Sequence, residues 1–114
     1  MLSDGRLHFI LQKHNQASDV LYAFTSEEHV LHIGKTTQTL SLRMNGYQNP
    51  SPSQRTNIRN HKLIIDILQR KVGVNILALV PKESMSFRGV QVNIAAGIED
   101  NLVAFLKPPW NVLK

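Results

Sequence analysis

The chain contains no cysteine, which removes disulfide scaffolds, thiolate zinc sites and cysteine nucleophiles together. No apolar run approaches the ~20 residues that cross a bilayer, and no internal repeat or low-complexity segment is present. The opening residues, Met1 to Gly5, lack the basic-then-apolar layout of a secretory signal, so a cytoplasmic protein with no membrane partner is expected. Acids are absent from residues 29–65, whereas Lys35, Arg43, Arg55, Arg59 and Lys62 all fall there. The whole chain carries +5, and this acid-free interval points to an anionic partner, nucleic acid above all, with a solvated basic face as the alternative. At 114 residues the length suits one domain spanning residues 1–114.

Hydrophobic periodicity gives the order of elements. Leu7, Ile10 and Leu11 behind Asp4 predict an N-terminal helix. Val20 to Phe24 and Val30 to Ile33 predict two strands of a hairpin joined by the polar Thr25 to His29 connection. Symmetry about Glu27 sets Tyr22 opposite His32, on one face of the sheet. Thr36 or Thr37 caps a following helix in which Leu40, Met44 and Tyr47 repeat at i, i+4 and i+7, with Arg43 four residues before Tyr47. Such a strand-to-helix junction offers free backbone N–H groups to an anion beside Lys35.

The proline-rich stretch from Gly46 to Ser53 predicts a loop, and a second helix runs from about Asn57 to Arg70, burying Ile58, Ile64, Ile65 and Leu68. Arg55, Arg59 and Lys62 cluster on its other side. Val72 to Val80 predicts a central strand, and Ile94 to Leu106 a last helix with Ile98, Leu102, Phe105 and Leu106 inward and Glu99 on it. The order implies an α+β fold with a small, mainly antiparallel sheet of about three strands flanked by helices.

Two familiar motifs fail. Gly34-Lys35-Thr36 matches the end of a phosphate-binding P-loop, but position 29 is His where that loop needs glycine, so a nucleotide cofactor is not expected. His8, His14, His29 and His61 are scattered, without metal-ligand spacing.

Tyr22, His32, Lys35, Arg43, Tyr47 and Glu99 remain, dispersed in sequence. Their order and spacing resemble the GIY-YIG nuclease superfamily over about Val20 to Asn111. Leu21-Tyr22-Ala23 stands at the first motif tripeptide and His32-Ile33-Gly34-Lys35-Thr36 at the second with its basic follow-on. Arg43 with Tyr47 matches the arginine helix, and Glu99 followed by Asn111 in KPPWN matches the glutamate and closing asparagine. The ending GIEDNLVAFLKPPWN and the TNIRN segment look most like the stand-alone and restriction-type branch. The chain departs from the pattern where glycine-isoleucine-tyrosine reads VLY or LYA, and where His32 replaces the second motif's tyrosine.

The resemblance implies a divalent-metal-dependent endonuclease that hydrolyses DNA and leaves a 5′ phosphate. Glu99 is then the ligand of one Mg²⁺ or Mn²⁺, which suits an ion that takes one or two carboxylates and keeps its waters. Arg43 and Lys35 neutralise transition-state charge. Tyr22, lowered in pKa by those cations or assisted by His32, takes the proton from water, and Tyr47 and Asn111 orient groups. Histidine has an unperturbed pKa of about 6.5, near working pH. Arg55, Arg59 and Lys62 are expected on DNA phosphates. A homodimer or an accessory specificity factor is a further possible partner. The alternative is a catalytically impaired nucleic-acid-binding module of the same fold. Individually, Tyr22 also reads as core, Glu99 as a solvent-facing charge and Arg43 as an ion-pair partner of Glu99.

Overall fold

A seven-residue strand, β3 (Val20–Ser26), runs through the middle of a three-stranded antiparallel sheet of order β4-β3-β5. The structure, a computed structural model, describes residues 2–3, 6–11, 16–79, 85–92 and 94–111. Around this sheet, the described elements in chain order begin with a short hairpin, β1 (Leu2–Ser3) and β2 (Arg6–Leu7). β3, β4 (His29–Thr36), α1 (Leu40–Gln48), α2 (Arg55–Gln69) and β5 (Asn75–Leu79) follow. A second small hairpin, β6 (Met85–Phe87) with β7 (Val90–Val92), then precedes α3 (Ile94–Leu106). The expected α+β fold is present.

The N-terminal helix is replaced by the β1–β2 hairpin, and its proposed cap, Asp4, lies outside the described residues. The β3–β4 loop is shorter than expected. Only Glu27 and Glu28 bridge Ser26 and His29, both with positive φ (49° and 67°). Such a two-residue turn matches the natural twist of a hairpin. Leu31 is an extra residue in β4, since Thr25 pairs with Val30 but Phe24 pairs with His32. The two-residue turn and the bulge each move the ladder by one position, two in all from the expected register, so Tyr22 faces Gly34 and not His32. A two-residue shift keeps the face, and Tyr22 and His32 still share it with ring centroids 6.2 Å apart.

β4 continues through Thr36, and α1 starts at Leu40, after three intervening residues. Thr39 caps this helix, its side chain accepting from Leu42 N, while Thr36 Oγ1 accepts from Gln38 N and turns the intervening segment. Lys35 therefore lies in a strand, and the helix-start anion site expected beside it is not formed there. Leu40, Met44 and Tyr47 are buried as their spacing predicts, and Gly46 belongs to the helix rather than to a loop. β5 is an edge strand, because β3 takes the central place.

Val20, Tyr22 and Phe24 of β3 and His32 of β4 lie on the face toward α1 and α2, and Phe24 is the hub of an aromatic core. It stacks on Phe9 and His32 at 6.0 and 5.8 Å and meets Tyr47 edge-on at 5.1 Å and Trp110 at 6.4 Å. The opposite face lies beneath α3, where Leu21, Ala23, Ile33, Leu77, Leu102 and Leu106 line a cleft of ≈ 330 Å³. Phe105, expected inward, is 83% exposed. α3 ends at Leu106, and the next residue, Lys107, is left-handed with a φ of 47° and is followed by buried Pro108.

Candidate active site

The two buried tyrosines and one arginine form a hydrogen-bonded knot. Tyr22 comes from β3, while Arg43 and Tyr47 come one turn apart on α1, so the strand period and the helical i+4 spacing bring them together. The Tyr22 and Tyr47 hydroxyls lie 2.6 Å apart. Arg43 Nε donates to the Tyr22 hydroxyl at 3.0 Å and Nη2 to the Tyr47 hydroxyl at 2.7 Å. The guanidinium also lies 4.2 Å from the centroid of the Tyr47 ring, within cation–π range. Arg43 thus turns toward the phenols, in contrast to the expected ion-pair alternative with Glu99.

Burial sets the protonation states, and it corrects one expectation. Tyr22 is pushed well above the ordinary tyrosine range by desolvation and by Tyr47, which outweigh the lowering by Arg43. Burial raises Tyr47 as well, against the lowering influence of Arg43, Tyr22, Asn60 and Arg59. Both are neutral phenols at neutral pH, so the cations do not make Tyr22 a phenolate.

His32 is the neutral base beside them. It is 7% exposed, stacked on Phe24 and edge-on to Tyr47, and burial together with Arg43 and Arg59 lowers it from 6.5 to about 4. The suitability expected from an unperturbed histidine is therefore reduced: it is unprotonated at neutral pH, but a weaker base. The lowered value also makes the fold acid-sensitive. The unfolded chain binds this proton below about pH 6.5 and the folded chain resists it until about pH 4, so stability is complete above the unfolded pKa and falls between the two. A shift of this size corresponds to roughly 3 kcal/mol, and urea unfolding from pH 7 to pH 4 is expected to show most of that loss in the native chain and little in His32→Phe. Equal pH slopes in the two proteins would exclude His32 as the source.

Gly34 packs directly against Tyr22. A Cβ there would meet Cζ and Oη of Tyr22 well inside contact distance and Cε2 at 2.9 Å. The Tyr22 ring lies directly over the Gly34 backbone, and no other residue leaves room for it. Gly34→Ala is expected to cost about 1–3 kcal/mol by overpacking, and much less when Tyr22 is already leucine. Thermal unfolding of the two single variants and the double variant measures the difference.

Asn111 is half-buried and grips β4. Its Oδ1 accepts from Ile33 N and its Nδ2 donates to Ile33 O, both at 2.8 Å, so the side-chain amide pairs with the strand edge as a backbone would. Trp110 N donates to the carbonyl of the bulged Leu31 at 2.8 Å. The closing segment therefore holds the backbone that carries His32 and Gly34.

The three cations of α2 separate. Arg55 and Lys62 are exposed, whereas Arg59 is half-buried and donates to the Trp110 carbonyl at 3.2 Å. Arg59 consequently braces the closing segment instead of sharing the expected outward face. Polar residues that the sequence left without a role fill the inward stripe of α2. Asn57 and Asn60 are buried with Ile64, while Ile58, Ile65 and Leu68 are only half-buried, and His61 Nδ1 donates to the Tyr47 carbonyl at 2.6 Å. The i, i+3, i+7 spacing of Asn57, Asn60 and Ile64 was the available signal.

Glu99 stands on α3, half-buried. Burial raises its pKa, the Lys35 charge opposes that rise and Asp100 adds to it. Lys35, the charge that opposes the rise, is exposed on β4 and follows Gly34 directly. Among the described residues no three His, Cys, Asp or Glu side chains gather into a metal cage. A single hard carboxylate fits a largely hydrated Mg²⁺, which keeps several waters, and does not fit a protein-enclosed ion.

No protein-family model and no curated protein matches the chain. Solved structures do. EndoII of bacteriophage T4, in a glutamate-to-alanine mutant, superposes with a TM-score of 0.75 at 22% identity, covering 97% of this chain and 86% of that one. The N-terminal endonuclease domain of UvrC from Thermotoga maritima superposes with a TM-score of 0.52 at 22% identity over 82% of each chain. Both neighbours are GIY-YIG nucleases.

The chain has the GIY-YIG fold.

The UvrC domain is bound to its catalytic divalent cation, magnesium. Variants of that domain with one tyrosine changed to phenylalanine, or one asparagine to alanine, hold a catalytic divalent cation as well. Among the described residues of this chain, no helix is long and apolar enough to cross a membrane.

Proposed function

We propose that the chain is a divalent-metal-dependent endonuclease that hydrolyses DNA phosphodiester bonds and leaves a 5′ phosphate. The observation that carries this reading is the Tyr22–Arg43–Tyr47 knot, in which a partly buried guanidinium is fixed by two phenols, within a GIY-YIG fold. A rigid cation next to hydroxyl groups is what a phosphoryl-transfer site needs, because charge gathers on the phosphate oxygens in the transition state.

Glu99 would hold the ion, with water and substrate oxygens completing its shell. The ion supplies Lewis-acid stabilisation of the leaving 3′ oxygen when bound. Arg43 and Lys35 balance the charge on the phosphate. The Tyr22 hydroxyl oxygen accepts a hydrogen bond from the attacking water and aims it, and Tyr47 holds Tyr22. Neutral His32 takes the proton that water loses as its oxygen bonds to phosphorus. The phosphorus–3′ oxygen bond breaks, and solvent protonates the leaving oxygen. Asn111 acts from behind by fixing the strand that carries His32, and Arg55 and Lys62 contact neighbouring phosphates, with Arg59 acting through Trp110.

Incubation of supercoiled duplex DNA with the protein tests the reading. Nicked circles bearing 5′-phosphate ends are expected with Mg²⁺ or Mn²⁺ and none after chelation; an uncut substrate under every metal condition would refute it. One observation favours the binding-module alternative: His32 is packed as a core aromatic against Phe24. In that case DNA binding without cleavage is the outcome.

A further inference from the structure

Five large apolar side chains stand exposed among the described residues, and three of them, Leu77, Phe105 and Leu106, gather at one place. Leu77 of β5 and Leu106 of α3 line the cleft beneath α3 together with Leu102, and no charged side chain lines it. Phe105 stands beside them on the outer side of the helix. Single exposed apolar residues need no explanation, but a contiguous group that opens into an apolar cleft marks an interaction surface. The composition of α3 agrees. Asn101 is the one polar residue from Asn101 to Leu106, yet none of the six is buried. A helix that is apolar on nearly every side is normally covered on every side. The patch continues onto β5, an edge strand in which Asn75–Leu79 carries no charge, proline or bulge to discourage pairing.

Two features of the patch identify what covers it as a second copy of the chain. Projection and recess lie side by side, with exposed Phe105 next to the ≈ 330 Å³ cleft. An apolar cavity of about 150 Å³ already accepts a benzene ring. A two-fold interface requires both halves of the fit on one patch, since each copy gives to its partner what it receives. The other feature is charge. Asp100 and Lys107, both exposed, bracket the uncharged run from Asn101 to Leu106. When two such helices pack antiparallel about the middle of that run, Asp100 of each copy lies level with Lys107 of the other. Parallel packing would set like charges together. Arg55 and Lys62 do not oppose the pairing at close range, because α2 lies against the other face of the sheet.

We propose that the chain forms a two-fold dimer through antiparallel α3 helices, with Phe105 of each copy seated in the apolar cleft of the other and Asp100 paired with Lys107 across the axis. Phe105 is the anchor and the two ion pairs set the direction of packing. This interface does not depend on the endonuclease reading.

Sedimentation equilibrium of the full chain from micromolar to near-millimolar concentration tests it. A reversible equilibrium between the 12.9 kDa monomer and a dimer of twice that mass is expected. Phe105→Asp is expected to weaken association by about tenfold or more, the scale of removing an aromatic anchor from its pocket. Thermal unfolding of the dilute monomer should be unchanged by it, because Phe105 is exposed there. Asp100→Lys and Lys107→Asp should each weaken the dimer severalfold, and the variant carrying both reversals should recover the native affinity. A native chain that stays monomeric at every concentration would overturn the proposal and leave the patch to a different partner. A dimer that Phe105→Asp does not weaken, or single charge reversals that the double reversal does not repair, would overturn it as well. Cleavage assays bear on the endonuclease reading alone, so the two can fail separately.

Discussion

Glu99→Ala is expected to reduce Mg²⁺-dependent cleavage to the background of the uncatalysed reaction while leaving the protein folded. Glu99 is half-buried on α3, and no other carboxylate cluster stands among the described residues to take its place. Losing it removes the proposed anchor of the ion and hence the stabilisation of the leaving oxygen. The same change relieves a half-buried carboxylate whose pKa burial already raises, so the stability difference should stay within about 1 kcal/mol. DNA binding without metal should be unchanged or tighter, since a negative charge near Lys35 is gone. Nicking assays beside a binding titration check both halves. Undiminished cutting by Glu99→Ala would remove the carboxylate from the mechanism.

Arg43→Lys is expected to lose about 10²–10³-fold in single-turnover rate, the scale of removing one preorganised donor from a transition-state site. The substitution keeps the charge, which makes the prediction sharp. Arg43 reaches both phenols at once through Nε and Nη2, and a lysine ammonium on a flexible stem cannot reproduce that planar fork. The Tyr22–Tyr47 bond loses its shared anchor. Arg43→Met should be at least as slow, and a lysine variant with the native rate would show that only the charge matters.

Particular residues show what the sequence could and could not disclose. Arg43 and Tyr47 were legible as neighbours because the helical period sets them one turn apart, whereas Tyr22 was joined to them through the family resemblance. The shared face of Tyr22 and His32 survived an incorrect register, since the shorter turn and the Leu31 bulge together moved the ladder by two residues. The start of α1 was not legible: Thr36, Thr37 and Thr39 all suit a cap, and only the turn closed by Thr36 Oγ1 selects Thr39. Protonation was the larger omission. Charge counting predicted a lowered Tyr22, whereas full burial beneath α1 and α2 dominates and raises it. Asn111 was read as an orienting group, because hydrogen bonds over long sequence separations leave no local pattern.

The central claim is that Glu99 brings an ion to the tyrosine–arginine knot across the Gly34–Lys35 stretch of β4. Paramagnetic broadening by Mn²⁺ measures this directly. Titrating substoichiometric Mn²⁺ into the protein should broaden the ring resonances of Tyr22 and His32 and the side chain of Lys35, and Glu99→Ala should abolish the effect. Broadening confined to another part of the molecule, or persisting in Glu99→Ala, would contradict the account.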